Sequence, residues 1–395
     1  MIRAVHFLIL LMMMLPNIFS SALIAPDLFT YRVPLYIIGI LVLVVVSPLT
    51  WHRFLLLPTT LIGLFTVGTF INLVLGHYSE VAVSLRQLIV FSSLFFCSYV
   101  GYMTVVFGKR WNVNVIQLAL HIHLILFIYG IYTYIAQVYS LPEILYFLRP
   151  SPVLNESDVE YLNIYSGWAG SYRAYSIWFE PSFSSIVLAV TLPLLFINKN
   201  RRYVWFFLIV TCVYTYLTYS RAAWLIYILF FGIALSSRAI KRLFNNKMGI
   251  FTIIVITTVV GIALQAMIIN MNPDISSVIR LKTVILGAIE AFENLITGTG
   301  SAELLIAGPY GNVHIHNAFV GMFHWLGLFG LIIMILPFIN IAKHSLPEHS
   351  NLVVSFCILT ASAFVFGGGL HSLPTFWYFL GFYSAITRQE TRSVV

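Results

Sequence analysis

The chain has 395 residues, of which 60% are hydrophobic and only 9% are charged. This composition excludes a soluble globular protein, which does not need so much apolar surface, and indicates a polytopic membrane protein. The net charge of +8 does not indicate nucleic-acid binding, because no run of basic residues lies within a soluble domain that could present it to a duplex.

Apolar segments recur along the whole chain and predict an all-α bundle of about twelve transmembrane helices in one membrane domain, residues 1–395. The segments lie near Ala4–Ile24, Val33–Val46, Phe54–Leu75, Leu88–Val106, Val115–Val138, Pro181–Ile197, Val204–Tyr219, Ala222–Leu235, Ile250–Ile269, Ala318–Ile341, Leu352–Phe366 and Thr375–Ile386. Several are shorter than the roughly 20 residues that a crossing usually needs. We interpret the first segment as an uncleaved helix rather than a signal peptide, because many spans follow it.

The distribution of charge predicts the orientation of these helices. With a cytoplasmic N-terminus, the inner loops and tails hold 14 of the 21 basic residues and two of the 13 acidic residues. The positive-inside rule therefore places both termini in the cytoplasm. Two outer loops, 139–180 and 270–317, are long, so the working surface faces outward, which in a bacterium is the periplasm or the cell exterior.

The second outer loop carries a predicted amphipathic helix. Apolar residues keep near-helical spacing from Ile275 to Leu295, with Arg280, Lys282 and Glu290 among the charged residues between them. This pattern is typical of a helix that lies on the membrane surface.

Three predicted spans run inward from the outer face and begin with polar residues. Glu180-Pro181-Ser182 begins the sixth span, Ser220-Arg221 the eighth and His316-Asn317 the tenth. Ser220 and Asn317 are N-capping residue types, and proline suits a first helical turn. Helix N-termini carry partial positive charge and free N–H groups that bind phosphate. These could be ordinary caps, but three caps carrying Glu, Arg and His favour a functional interpretation.

The tenth span also contains two glycines three residues apart. His316-Asn317 is followed after nine residues by Gly327 and then by Gly330. In a helix that otherwise packs bulky side chains, such glycines allow a neighbouring helix to approach closely. We therefore expect His316 to be fixed at a membrane–water boundary on a rigid support.

Arginine accounts for six of the seven basic residues on the predicted outer side. They are Arg32, Arg86, Arg149, Arg173, Arg221 and Arg280, beside Lys282. Guanidinium binds phosphate oxygens through two parallel hydrogen bonds, which an ammonium group cannot do. The alternative is salt bridging to the outer acidic residues, and we favour it for the first three.

The spacing of His316-Asn317 and Gly327-x-x-Gly330 resembles the signature shared by O-antigen ligases and Wzy-type O-antigen polymerases. Arg173 with Glu180-Pro181-Ser182, and Ser220-Arg221, resemble the R…EPS and SR motifs of the polymerases, whereas ligases usually carry an Asn-Pro-type motif there. The resemblance covers roughly residues 173–330, and Ala222 stands where many relatives have threonine. It implies a GT-C-like fold and metal-independent glycosyl transfer.

The implied function is polymerisation of undecaprenyl-diphosphate-linked repeat units of O-antigen, capsule or exopolysaccharide at the periplasmic face of the inner membrane. His316 is the expected general base, since histidine titrates near neutral pH. Glu180 positions the acceptor or is the second candidate base, and Arg173, Arg221 and Arg280 bind diphosphate. Asn317, Ser220, Gly327 and Gly330 support the site.

We expect these catalytic and diphosphate-binding side chains to converge on one outward-facing cavity between the sixth, eighth and tenth spans. No cofactor is expected, and no metal, because no cluster of metal-ligating residues has suitable spacing. Expected partners are the lipid-linked oligosaccharide, the membrane, a chain-length regulator and a flippase, with no nucleic acid.

Two other functions remain open from the sequence. One is O-antigen ligation, in which lipid A-core accepts the glycan. The other is a transporter or flippase for the lipid-linked glycan, but transporters usually keep ionisable residues near the membrane midplane and often have repeated halves. Here the ionisable residues cluster at outer ends of spans. The histidines inside spans, His121, His123 and His324, are expected to be satisfied interhelical donors rather than ligands.

Overall fold

A computed structural model gives the structure of most of the chain. It describes residues 2–18, 35–46, 53–77, 81–142, 174, 184–236, 263, 267, 275–300, 303–305, 312–315, 317–366 and 374–388. The statements below concern these residues.

The described chain is mainly helical, with one short hairpin of two strands. The helices are α1 (Ile2–Ile18), α2 (Leu35–Val46), α3 (Leu56–Val74), α4 (Val81–Arg110), α5 (Val115–Tyr139), α6 (Ser184–Thr191, continued by a 3-10 helix Leu192–Ile197), α7 (Arg201–Thr218), α8 (Arg221–Leu235), α9 (Ile275–Glu293), α10 (Ala318–Leu326), α11 (Leu328–His344), α12 (Ser350–Phe366) and α13 (Pro374–Thr387). Strands β1 (Glu303–Leu305) and β2 (Asn312–His314) pair in antiparallel register between α9 and α10.

Three helices of the described chain are long and apolar enough to cross a membrane, namely α3, the Gln87–Arg110 part of α4, and α5. Of these α4 is the most buried. Shorter apolar helices coincide with several other predicted spans, and the predicted segment Ile250–Ile269 lies almost entirely outside the described residues. The predicted helical membrane character is therefore supported by three helices, and the number of spans stays a prediction.

Many large apolar side chains on the helices are exposed on the surface of the protein. Ile125 on α5 is 64% exposed, Ile209 on α7 is 60% exposed and Ile228 on α8 is 66% exposed. Large exposed apolar patches are rare on soluble monomers. Such surfaces match a hydrocarbon environment.

The most extensive helix–helix contact joins α4 to α13. It depends on two glycines: a Cβ at Gly101 would overlap the backbone oxygen of Tyr378, and one at Gly381 would overlap the backbone oxygen of Ser98. The two backbones are therefore in direct contact, which is the usual way in which small residues join membrane helices.

We predict that Gly381→Ala destabilises the protein by about 2–3 kcal/mol, because α4 and α13 must move apart to admit the methyl group. Thermal unfolding of the purified protein in detergent measures this. Gly63→Ala on α3 is the matched control, since a Cβ at Gly63 meets nothing within 4 Å. Equal stability of both variants would contradict the close contact.

The prediction of one continuous helix over Ala318–Ile341 is wrong, because the helix is broken at Gly327. Gly327 has φ +60° and ψ −140°, a conformation that side chains oppose, and it separates α10 from α11. The rings of Phe319 and Phe338 lie 6.4 Å apart, although they are about two turns before and three turns after the break. The two helices therefore fold back on each other.

Candidate functional site

The N-terminus of α10 is enclosed by protein. Asn317 is 0% exposed, and its Oδ1 accepts hydrogen bonds from the N–H groups of Phe319 at 3.0 Å and Val320 at 3.1 Å. The predicted capping role of Asn317 is confirmed. The Phe319 ring packs 5.8 Å from the ring of Phe364 on α12, so the helix begins within the bundle. A helix N-terminus in such apolar surroundings attracts negative charge more strongly than one in water.

Helix α9 lies beside α10 and runs in the same direction. A Cβ at Gly287 would lie 2.6 Å from Ile315 Cδ1, and the rings of Phe292 and Phe323 lie 5.4 Å apart. Gly287, in the middle of α9, therefore lies against Ile315, just before α10, whereas Phe292, near the end of α9, lies against Phe323 within α10. The part of α9 before Gly287 consequently runs toward the N-terminal side of α10.

Arg280 lies on this part of α9. Arg280 precedes Gly287 by two helical turns. It therefore lies on the same face of α9, about 10 Å away along the helix axis. Its Nε is buried and has no hydrogen-bond partner among the described residues. The fold thus brings a cation with an unsatisfied donor to the N-terminal side of α10, where an anion would be stabilised by both.

Gly327 packs against the segment that follows α9. A Cβ at Gly327 would overlap the backbone oxygen of Ile296, and a Cβ at Gly298, whose φ is +70°, would lie 2.5 Å from the carbonyl carbon of Trp325. At Gly330 a Cβ would overlap the backbone oxygen of Met322 on α10. The predicted close approach is therefore confirmed for Gly330, but its partner is α10, the preceding helix. Gly327 instead makes the turn.

We predict that Gly327→Ala destabilises the protein by about 2 kcal/mol or more and lowers activity, because the side chain opposes the positive φ and collides with Ile296. Gly321→Ala, one turn into α10, is the control. A Cβ there lies 3.7 Å from Ile315 Cβ, which is ordinary contact, and alanine suits a helix. Thermal unfolding measures both variants. Tolerance of alanine at position 327 would contradict the turn.

A buried histidine fixes the C-terminal end of α10. His324 Nε2 lies 2.9 Å from Glu290 Oε2 on α9, and its Nδ1 lies 3.1 Å from Thr299 Oγ1. The predicted interhelical role is confirmed for His324. It is wrong for His121 and His123, whose Nδ1 atoms bond to carbonyl oxygens one turn earlier in their own helix, where a short local contact is available. No pattern in the sequence indicates that Glu290 pairs with His324.

The second described part of the predicted site is the start of α8. Ser220 caps this helix, its Oγ accepting from the N–H of Ala223 at 3.4 Å, as predicted. Arg221 follows and is exposed. Ala174 is buried, and its N–H donates to the oxygen of Leu217 at 2.9 Å, just before this turn.

The remaining predicted site residues lie outside the described residues. They are Arg173, Glu180 and His316. The structure describes Arg280 on α9, toward the N-terminal side of α10, and it describes Arg221 at a separate helix entrance. Convergence of all five side chains on one cavity stays a prediction.

Comparisons of the chain with protein-family models, with curated proteins and with solved structures find no match.

Proposed function

We propose that the chain is a bacterial inner-membrane glycosyltransferase of the Wzy type. It would polymerise undecaprenyl-diphosphate-linked repeat units of O-antigen, capsule or exopolysaccharide and release undecaprenyl diphosphate. The observation that carries the proposal is the buried entrance of α10. The helix N-terminus capped by Asn317 is buried there, and Arg280, whose Nε is buried and unsatisfied among the described residues, lies on α9 toward the same end of α10.

The proposed reaction needs one proton acceptor and a set of anion-binding groups. The acceptor hydroxyl oxygen attacks the anomeric carbon of the donor, and the bond from that carbon to the phosphate oxygen breaks. The hydroxyl proton passes to His316, and the diphosphate leaves with the bonding electrons. Glu180 orients the acceptor sugar or takes the proton in place of His316.

The arginines would stabilise the charge that develops on the leaving diphosphate. Arg173, Arg221 and Arg280 are assigned this role together with the N-terminus of α10. A well-placed donor of this kind typically contributes about 3–4 kcal/mol to transition-state stabilisation. No proton donor for the leaving group is needed, because a diphosphate is stable as an anion.

The proposed membrane arrangement has about twelve spans in a GT-C-like bundle, two periplasmic loops and cytoplasmic termini. In this topology α3 ends at the periplasmic face. Asn72 near that end donates through Nδ2 to the oxygen of Thr297 at 2.8 Å, and Thr297 lies beside the turn at Gly327. The α10–α11 turn would then lie at the periplasmic face, and α10 would approach it from within the membrane, which differs from the inward-running tenth span that the sequence predicts.

Polymerisation is favoured over ligation by Glu180-Pro181-Ser182, since ligases usually carry an Asn-Pro-type motif at this place.

Purified protein in liposomes, supplied with an undecaprenyl-diphosphate-linked repeat unit, should form a ladder of longer glycans and release undecaprenyl diphosphate. Absence of both products from correctly folded protein would overturn the proposal. Transfer only to added lipid A-core would indicate a ligase.

A further inference from the structure

The amide nitrogen of Asn317 is buried and unsatisfied. Asn317 is 0% exposed, and its Nδ2 has no hydrogen-bond partner within the described part of the chain. Its Oδ1, by contrast, accepts two backbone N–H groups. Most buried polar atoms in native proteins have a partner, so an orphaned amide nitrogen requires an explanation.

Capping does not explain the amide nitrogen. An N-cap uses only a side-chain oxygen, and serine or aspartate caps as well as asparagine. Asn114 and Asn200 cap α5 and α7 in the same way, but both are exposed, so water can satisfy their amide nitrogens. Of these three asparagine caps in the described part of the chain, Asn317 is the one whose side-chain nitrogen is not accessible to solvent.

The position of Nδ2 indicates what it would bind. It shares a carbon atom with Oδ1 and therefore lies at the entrance of α10, a helix of nine residues whose N-terminus attracts anions. Arg280 adds a cation on α9, which runs toward this side of α10. An N–H donor beside a cation suits an atom that only accepts hydrogen bonds and carries negative charge, and the oxygens of a diphosphate are of this kind.

We propose that Asn317 Nδ2 donates a hydrogen bond to a diphosphate oxygen of the lipid-linked donor, which makes Asn317 a substrate-binding residue as well as a cap. This rests on the proposed function, because the donor is the one assigned there. In the absence of donor, Nδ2 would stay unpaired, and the bound diphosphate would supply its hydrogen-bond acceptor.

Binding of farnesyl diphosphate, a short polyprenyl diphosphate, to the purified protein tests the inference without any glycosyl transfer. Asn317→Ser keeps the capping oxygen and removes the amide nitrogen. We expect it to weaken binding about tenfold to a hundredfold, the usual effect of losing a hydrogen bond to a charged group. Asn317→Asp also keeps the cap and should weaken binding at least as much, because its carboxylate repels the diphosphate. Asn200→Ser is the control and should leave binding unchanged.

The binding measurements test the inference separately from the proposed function. Weaker binding by every folded variant of Asn317→Ser and Asn317→Asp, with Asn200→Ser unaffected, supports the inference. Wild-type affinity in either variant would overturn it and leave the proposed function standing, because the diphosphate would then bind without Nδ2. Unfolding of both variants would also overturn it, since both retain the cap and the nitrogen would be structural. Failure of the wild-type protein to bind the probe would count against the proposed donor itself.

Discussion

Replacing His316 with alanine should lower polymer formation by about 10²–10⁴, which is the usual cost of losing a general base. The acceptor is a sugar hydroxyl, which must lose its proton as it attacks, and His316 precedes the capped and buried start of α10. The rate of ladder formation in liposomes measures the effect. His121→Ala is the control, because His121 is exposed and bonds within its own helix.

The same variant separates polymerase from ligase in cells. In a strain that ligates its glycan to lipid A-core, both deletion of the chain and His316→Ala should leave core with a single repeat unit, because ligation does not need a long donor. Loss of a ligase should instead leave bare core while long polymer accumulates on undecaprenyl diphosphate. A gel of surface polysaccharide distinguishes the two patterns. Bare core with long lipid-linked polymer would replace the polymerase with the ligase.

Local chemistry made parts of the site predictable. Asn317 and Ser220 are capping residue types at the start of apolar runs, and both cap helices in the structure. Near-helical spacing likewise predicted α9. Capping and periodicity depend on residues within a few positions of each other, so the sequence contains the necessary information.

The break at Gly327 could not be predicted in the same way. A glycine in an apolar run fits a continuous helix, a close helix contact or a turn equally well. The choice depends on Ile296, whose backbone oxygen leaves no room for a side chain at Gly327. The pairing of Glu290 with His324 could not be predicted from the sequence either, because hydropathy does not specify which face of α9 packs on α10.

The packing of α9 against α10 determines the position of Arg280. From sequence, Arg280 was one of six outer arginines, and only the resemblance favoured it over Arg32 or Arg86. The parallel course of α9 and α10 directs it toward the N-terminal side of α10, and its Nε is buried and unpaired among the described residues. Those facts support the proposed role of Arg280 in binding an anion over a role in charge balance alone.

Arg280→Lys should therefore lower the rate of undecaprenyl diphosphate release by about 10²–10³, nearly as much as Arg280→Ala. Lysine keeps the charge but has no Nε–H group and cannot form two parallel hydrogen bonds to a phosphate. Lys282→Ala is the matched control, because Lys282 is exposed on the same helix and should be dispensable. The measurement is the release rate in liposomes at equal amounts of folded protein. A near-normal rate for Arg280→Lys would mean that position 280 supplies charge alone, and the diphosphate would then have to be bound through the other arginines.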